Sequence, residues 1–153
     1  MTADDAASAQ TGRAPRILVG IDGSQPSIDA LEWAGRQAKL TNSSMDIVMT
    51  WDWPASFGWA VPLPADYDPA VNVRELLSDA EAGIRAKFPD IEITTHVVEG
   101  HPAPVLVEAS KNVDLLVVGN RGHGEFVGML IGSVSEFCAT NAHCPVLVHR
   151  SVA

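Results

Sequence analysis

Residues 114–141 read DLLVVGNRGHGEFVGMLIGSVSEFCATN, and this stretch decides the fold. Asp114 is followed by Leu115, Leu116, Val117 and Val118, a short unbroken apolar run of the kind found in strands buried on both faces. A glycine-rich connection from Gly119 to Gly132 comes next, and residues 133–141 read as a helix. A strand with two buried faces needs helices above and below it. It also needs parallel neighbours reached by crossovers.

The same unit recurs on either side. Arg16-Ile17-Leu18-Val19-Gly20-Ile21 is a first buried strand, stopped by Asp22-Gly23-Ser24. Pro26 suits the first turn of a helix, with Ser24 or Gln25 near its cap, and Ile28, Leu31, Ala34 and Ala38 mark one face with Trp33 beside it. Residues 46–51 (DIVMTW) form a second strand. Between 52 and 68 lie Trp53, Pro54, Phe57, Trp59, Pro62 and Pro64, with Pro69 just beyond, so that segment is a long excursion without a regular element. Val73, Leu76, Leu77, Ala80, Ile84 and Phe88 then recur at helical spacing, the clearest periodic signal in the chain. Residues 91–98 predict a third strand, 103–111 a short helix, and 146–149, after Cys144-Pro145, a last strand. The expected architecture is α/β, a five-stranded parallel sheet with helices on both faces. Its ligand should sit beyond the carboxyl ends of the strands, where the strand order reverses.

Bulk properties narrow the function. A length of 153 residues fits one domain over 15–153, with 1–14 as a polar, flexible tail lacking the basic start and apolar middle of a signal peptide. The net charge of -9 and ten scattered basic residues exclude a surface built to coat nucleic acid. No apolar run approaches the ~20 residues that span a bilayer, so no membrane partner is expected. Cys138 and Cys144 are too few for a four-ligand zinc site and read as small core residues in a reducing cytoplasm. His96, His101, His123, His143 and His149 show no metal-ligand spacing, so no metal site is expected.

The chemistry concentrates after the fourth strand. Gly119 lets the strand end turn, Gly122 and Gly124 suit positive φ, and Gly132-Ser133 opens the next helix, where amide groups and the dipole favour an anion. The Ser133 and Ser135 hydroxyls are further donors, and Arg121 is the loop's basic residue. A Walker A loop is excluded, because Lys39, Lys87 and Lys111 all follow non-glycine residues. A G-x-G-x-x-G turn after the first strand is excluded too, since that turn reads Gly20-Ile21-Asp22-Gly23-Ser24.

The spacing Gly119-x2-Gly122-x9-Gly132-Ser133 resembles the signature of ATP-binding universal stress proteins. The resemblance runs from about Ile17 to Arg150 and includes residues 17–24, 114–119 and 144–148. It implies a sheet of order 3-2-1-4-5 in a Rossmann-like, adenine nucleotide alpha hydrolase-like fold, with ATP at its carboxyl edge. Gly20, Ile21 and Asp22 would line the adenine and ribose side, with Asp22 on a sugar hydroxyl or a Mg2+ ion, or serving as a helix cap. Trp51 falls where the family packs an aliphatic side chain on adenine. Gly119, Asn120, Arg121, Gly122, His123, Gly124 and Glu125, with Gly132, Ser133, Val134 and Ser135, would hold ribose and phosphates. Asn120 stands where serine is frequent in the family. The same pocket suits cyclic AMP, so both ligands stay open.

A nucleotide-dependent regulator of stress response or growth state is the leading expectation. Slow ATP hydrolysis is the alternative, and no catalytic residue is assigned, because fast phosphoryl transfer needs more positioned cations and metal ligands than this sequence offers. In the strand order that the resemblance implies, 146–149 is an apolar edge strand of the kind through which the family dimerises, and a homodimer is expected.

Overall fold

Five strands, β1 (Arg16–Gly20), β2 (Ser44–Trp51), β3 (Ile93–Glu99), β4 (Leu115–Gly119) and β5 (Val146–His149), pair in parallel in the order β3-β2-β1-β4-β5. The computed structural model describes residues 13–53, 65–121 and 131–151. The parallel direction is that expected from the alternation of elements, and the order is the one the family resemblance implies. Val19 stands opposite Ile47 on one side and Val117 on the other, and all three are fully buried at the sheet centre.

Side chains alternate between faces along each strand, so the sheet builds two cores. Ile17, Val19, Ile47, Met49 and Val117 pack under α1 (Gln25–Thr41) and α2 (Ala70–Lys87). Leu18, Val48, Leu116 and Val118 pack under α3 (Pro102–Ala109) and α4 (Ser133–Asn141). Ser24 is the N-cap of α1, its hydroxyl accepting from the Ser27 amide, and Asn42 ends the helix in the left-handed region at φ 54. In α2, Leu77 and Ile84 are buried as the periodicity predicts, but Leu76 is 44% exposed. Successive helical residues point about 100° apart, so Leu76 and Leu77 do not share one face.

Arg13, within the expected tail of residues 1–14, is anchored to the domain. The Arg13 guanidinium donates to the Asn112 carbonyl at 2.9 Å and pairs with Asp114 at 3.3 Å. Residues 1–12, and Phe57 and Trp59 of the Pro-rich excursion, lie outside the described residues. Among the described residues no helix is long and apolar enough to cross a membrane.

Cys138 is a core residue, fully buried against the α3 and α4 side of the sheet, and Cys144 packs half-buried on the same cluster. Burial pushes the Cys138 thiol from 9.0 up to about 11 and raises Cys144 as well. A thiol raised on folding favours the folded state while it stays protonated. That contribution is full below the unfolded value of 9.0 and is lost as pH rises through about 11. Thiol counting with a chromogenic disulfide at pH 8 should therefore leave Cys138 silent in the folded protein and detect it after urea unfolding. A native Cys138 that reacts within seconds would contradict the burial.

Candidate functional site

Connections leave β1 toward β2 and enter β4 on β1's other side, so the strand order reverses between β1 and β4. A cavity of about 240 Å³ opens there at the carboxyl ends. One wall is the end of β1 and the turn into α1: Gly20, Ile21, Asp22 and Ser27. The opposite wall is Gly119 and Arg121 after β4, then Gly132 to Ser135 at the start of α4. Val48, Thr50, Pro102, Leu106 and Val118 form an apolar floor.

Asp22 braces the first wall. Its Oδ1 accepts from the Ser24 amide at 2.9 Å and the Ser24 hydroxyl at 2.5 Å. The Asp22 amide in turn donates to the Ser27 hydroxyl at 3.3 Å. The cap itself is Ser24, two residues beyond Asp22, and Asp22 holds it in place. Gly23, at φ +85, makes the turn between them, a conformation that suits glycine.

Gly119 owes its identity to crowding. A Cβ there would lie 3.0 Å from both C and O of Pro26, so β4 passes directly against the backbone that opens α1. Among the described residues only Gly23 and Gly100 are glycines with positive φ. The expected sharp turn at Gly119 is thus replaced by a close approach between two backbones.

The second wall is tied together at its base. Asn120 is 9% exposed, its amide donating to the His149 carbonyl at 2.9 Å, and its carbonyl accepts from the Gly132 amide at 2.6 Å. Gly132 is the N-cap of α4 with extended backbone and supplies no side-chain cap. Its own amide is engaged by the Asn120 carbonyl, and the first-turn residues Ser133, Val134 and Ser135 line the cavity beyond it. The Ser135 hydroxyl, read from sequence as a phosphate donor, is buried and donates to the Gly119 carbonyl.

Trp51 does not line this cavity. Alternation along β2 gives Val48 and Thr50 to the cavity side and turns Trp51 to the other face. It packs edge-on against Trp53 at 5.8 Å, and Trp53 meets Tyr67 at 6.4 Å. Ser27, Val48, Thr50, Pro102, Leu106 and Val118 are the cavity residues that sequence reasoning missed. Pro102 and Leu106 come from α3, whose short apolar pattern carries no binding motif; only the fold brings its first turns to the cavity. Gly122, His123, Gly124 and Glu125 lie outside the described residues. Among the described residues no three His, Cys, Asp or Glu side chains cluster as metal ligands.

Comparison with known proteins gives this architecture a relationship. The model of the universal stress protein family matches residues 14–150. The chain is 36% identical over 140 residues to universal stress protein Rv2623 of Mycobacterium tuberculosis, covering 88% of this chain and 44% of that relative. It therefore spans a little under half the length of the relative. Among solved structures, universal stress protein UspA from Lactobacillus plantarum superposes with a TM-score of 0.73 at 21% identity, over 90% of this chain and 99% of that one. A universal stress protein in complex with cAMP superposes at 0.69 with 28% identity, over 91% and 98%. A match along nearly the whole chain, on the sheet order read from the sequence, makes this protein a member of the universal stress protein family.

Proposed function

We propose that this chain binds an adenine nucleotide in the cavity between β1 and β4, with ATP as the leading ligand, and acts as a nucleotide-dependent regulator of stress response or growth state. The observation that carries this is the start of α4, whose N-cap Gly132 supplies no side-chain cap and whose residues Ser133 to Ser135 line a cavity closed on its other side by Gly20, Ile21 and Asp22. Amide groups and the positive end of the helix dipole suit phosphates. The apolar floor of Val48, Pro102 and Leu106 suits a base, and Thr50 takes the place on the floor that sequence reasoning gave to Trp51. The loop residues Gly122, His123, Gly124 and Glu125 complete the phosphate side in this reading.

Asp22 is the one carboxylate among the described lining residues. That suits a Mg2+ ion carried in by the phosphates better than a resident metal. Arg121 is the one cation among them, which favours retention of nucleotide over rapid phosphoryl transfer. Two free thiols fit a reducing cytoplasm. β5, at the sheet edge and half-buried throughout, is the proposed homodimer contact.

Cyclic AMP is the second reading, favoured by the cAMP complex of a relative 28% identical to this chain. Titration calorimetry with ATP, followed by competition with cyclic AMP, tests both. Acid-quenched extracts of purified protein, read by mass spectrometry and followed for ADP, separate retention from hydrolysis. A folded protein that takes up neither nucleotide at millimolar concentration would sink the reading.

Gly20 offers a graded check of the floor. A methyl group there would lie 2.6 Å from Leu106 Cδ1, the end of a flexible side chain. Gly20→Ala should cost only ~1 kcal/mol in urea unfolding. It should weaken nucleotide binding severalfold in calorimetry, by pushing Leu106 into the cavity.

A further inference from the structure

The Ser135 hydroxyl is buried and donates to the Gly119 carbonyl. Gly119 ends β4 and lines the cavity, while Ser135 sits in the first turn of α4. The bond therefore joins the strand end to the helix start across the whole intervening loop. Beside it, the Gly132 amide donates to the Asn120 carbonyl. Two successive carbonyls at the end of β4 are thus each taken by a donor from the start of α4. Of the two ties, only the one from Ser135 is made by a side chain.

We infer that Ser135 is a positioning residue for the anion side of the cavity, and that it acts through Gly119 without donating to phosphate. This rests on the nucleotide reading above. Two physical effects follow from the bond. It fixes the direction in which the first-turn amides of α4 point, and anion binding by such amides depends on their convergence. It also occupies the negative end of a carbonyl dipole at the edge of a site meant for phosphate. Without the hydroxyl, the Gly119 carbonyl oxygen becomes an unoffset acceptor beside an anion. Neither effect bears on the apolar floor, where Val48, Pro102 and Leu106 lie.

The test is calorimetric affinity for ATP and for adenosine in the wild-type chain, Ser135→Ala and Ser135→Thr. Ser135→Ala should lose about tenfold in ATP affinity, the usual size for one buried hydrogen bond. Its adenosine affinity should stay within about twofold of the wild type, and Ser135→Thr, which keeps the hydroxyl, should restore ATP binding. Should Ser135→Ala fail to fold, Ser135→Cys keeps a weaker donor in similar volume and should show the same ATP-selective loss. Equal losses for ATP and adenosine would mean a merely structural role, and unchanged ATP affinity would remove the role altogether. A wild-type chain that binds neither ligand overturns the nucleotide reading itself, a result distinct from both.

Discussion

Gly119→Ala should cost about 2 kcal/mol of folding stability and most of the nucleotide affinity. The added methyl would meet C and O of Pro26 at 3.0 Å and the Ser27 amide nitrogen at 3.2 Å. These are backbone atoms at the start of α1, held by the Ser24 cap and by the Ser27 hydroxyl bond to the Ser24 carbonyl at 2.8 Å. They have no rotamer to change, so either β4 or the first turn of α1 must shift. Both elements are cavity walls. The contrast with Gly20→Ala is the informative part, because the same methyl meets a movable side chain in one case and fixed backbone in the other. Urea unfolding followed by circular dichroism, with calorimetry alongside, measures both. A Gly119→Ala chain with an unchanged midpoint would refute the close approach.

Leu116→Ala should destabilise more, by ~3 kcal/mol, within the range for truncating a buried leucine. Leu116 has no exposed surface and sits at the centre of the α3 and α4 side of the sheet, among Leu18, Leu106 and Val118. For a chain of this size the melting temperature should fall by roughly 6–12 °C in differential scanning calorimetry. Leu116 does not line the cavity. Saturating nucleotide should therefore raise the melting temperature of this variant by about the same increment as in the wild type. A variant that melts lower and has also lost its response to nucleotide would show that the core and the site are not separable at this position.

How far these features could be read in advance depended on how local their causes are. The strands were legible because runs such as Leu115 to Val118 are apolar at every position, which a strand buried on both faces requires. The start of α1 was legible because Ser24 and Pro26 act within one turn, and 133–141 and 146–149 coincide with α4 and β5. The glycine spacing identified which loop to watch. Contacts between elements were less legible. Gly119 reads as a turn glycine, yet its constraint comes from Pro26, which lies far off in sequence. Ser135 reads as a ligand donor, yet its hydroxyl faces a carbonyl. The face on which Trp51 points depends on strand parity relative to the cavity, and part of the cavity floor comes from α3, for which no motif exists.

The cavity opens through residues of the α3 and α4 core, since Val48, Leu106 and Val118 belong to that core and also form the floor. Of the other core's buried members, Ile21 reaches the cavity. Drift in α2, and in α1 beyond its first turn, can therefore raise or lower the melting point while the cavity lining is left alone. Exchanges at Val48, Leu106 and Val118 are tested twice, once for folding and once for the shape of the cavity. For the proposed nucleotide-dependent regulator, this division leaves the far side of the sheet available for adapting to new temperatures without recalibrating the site.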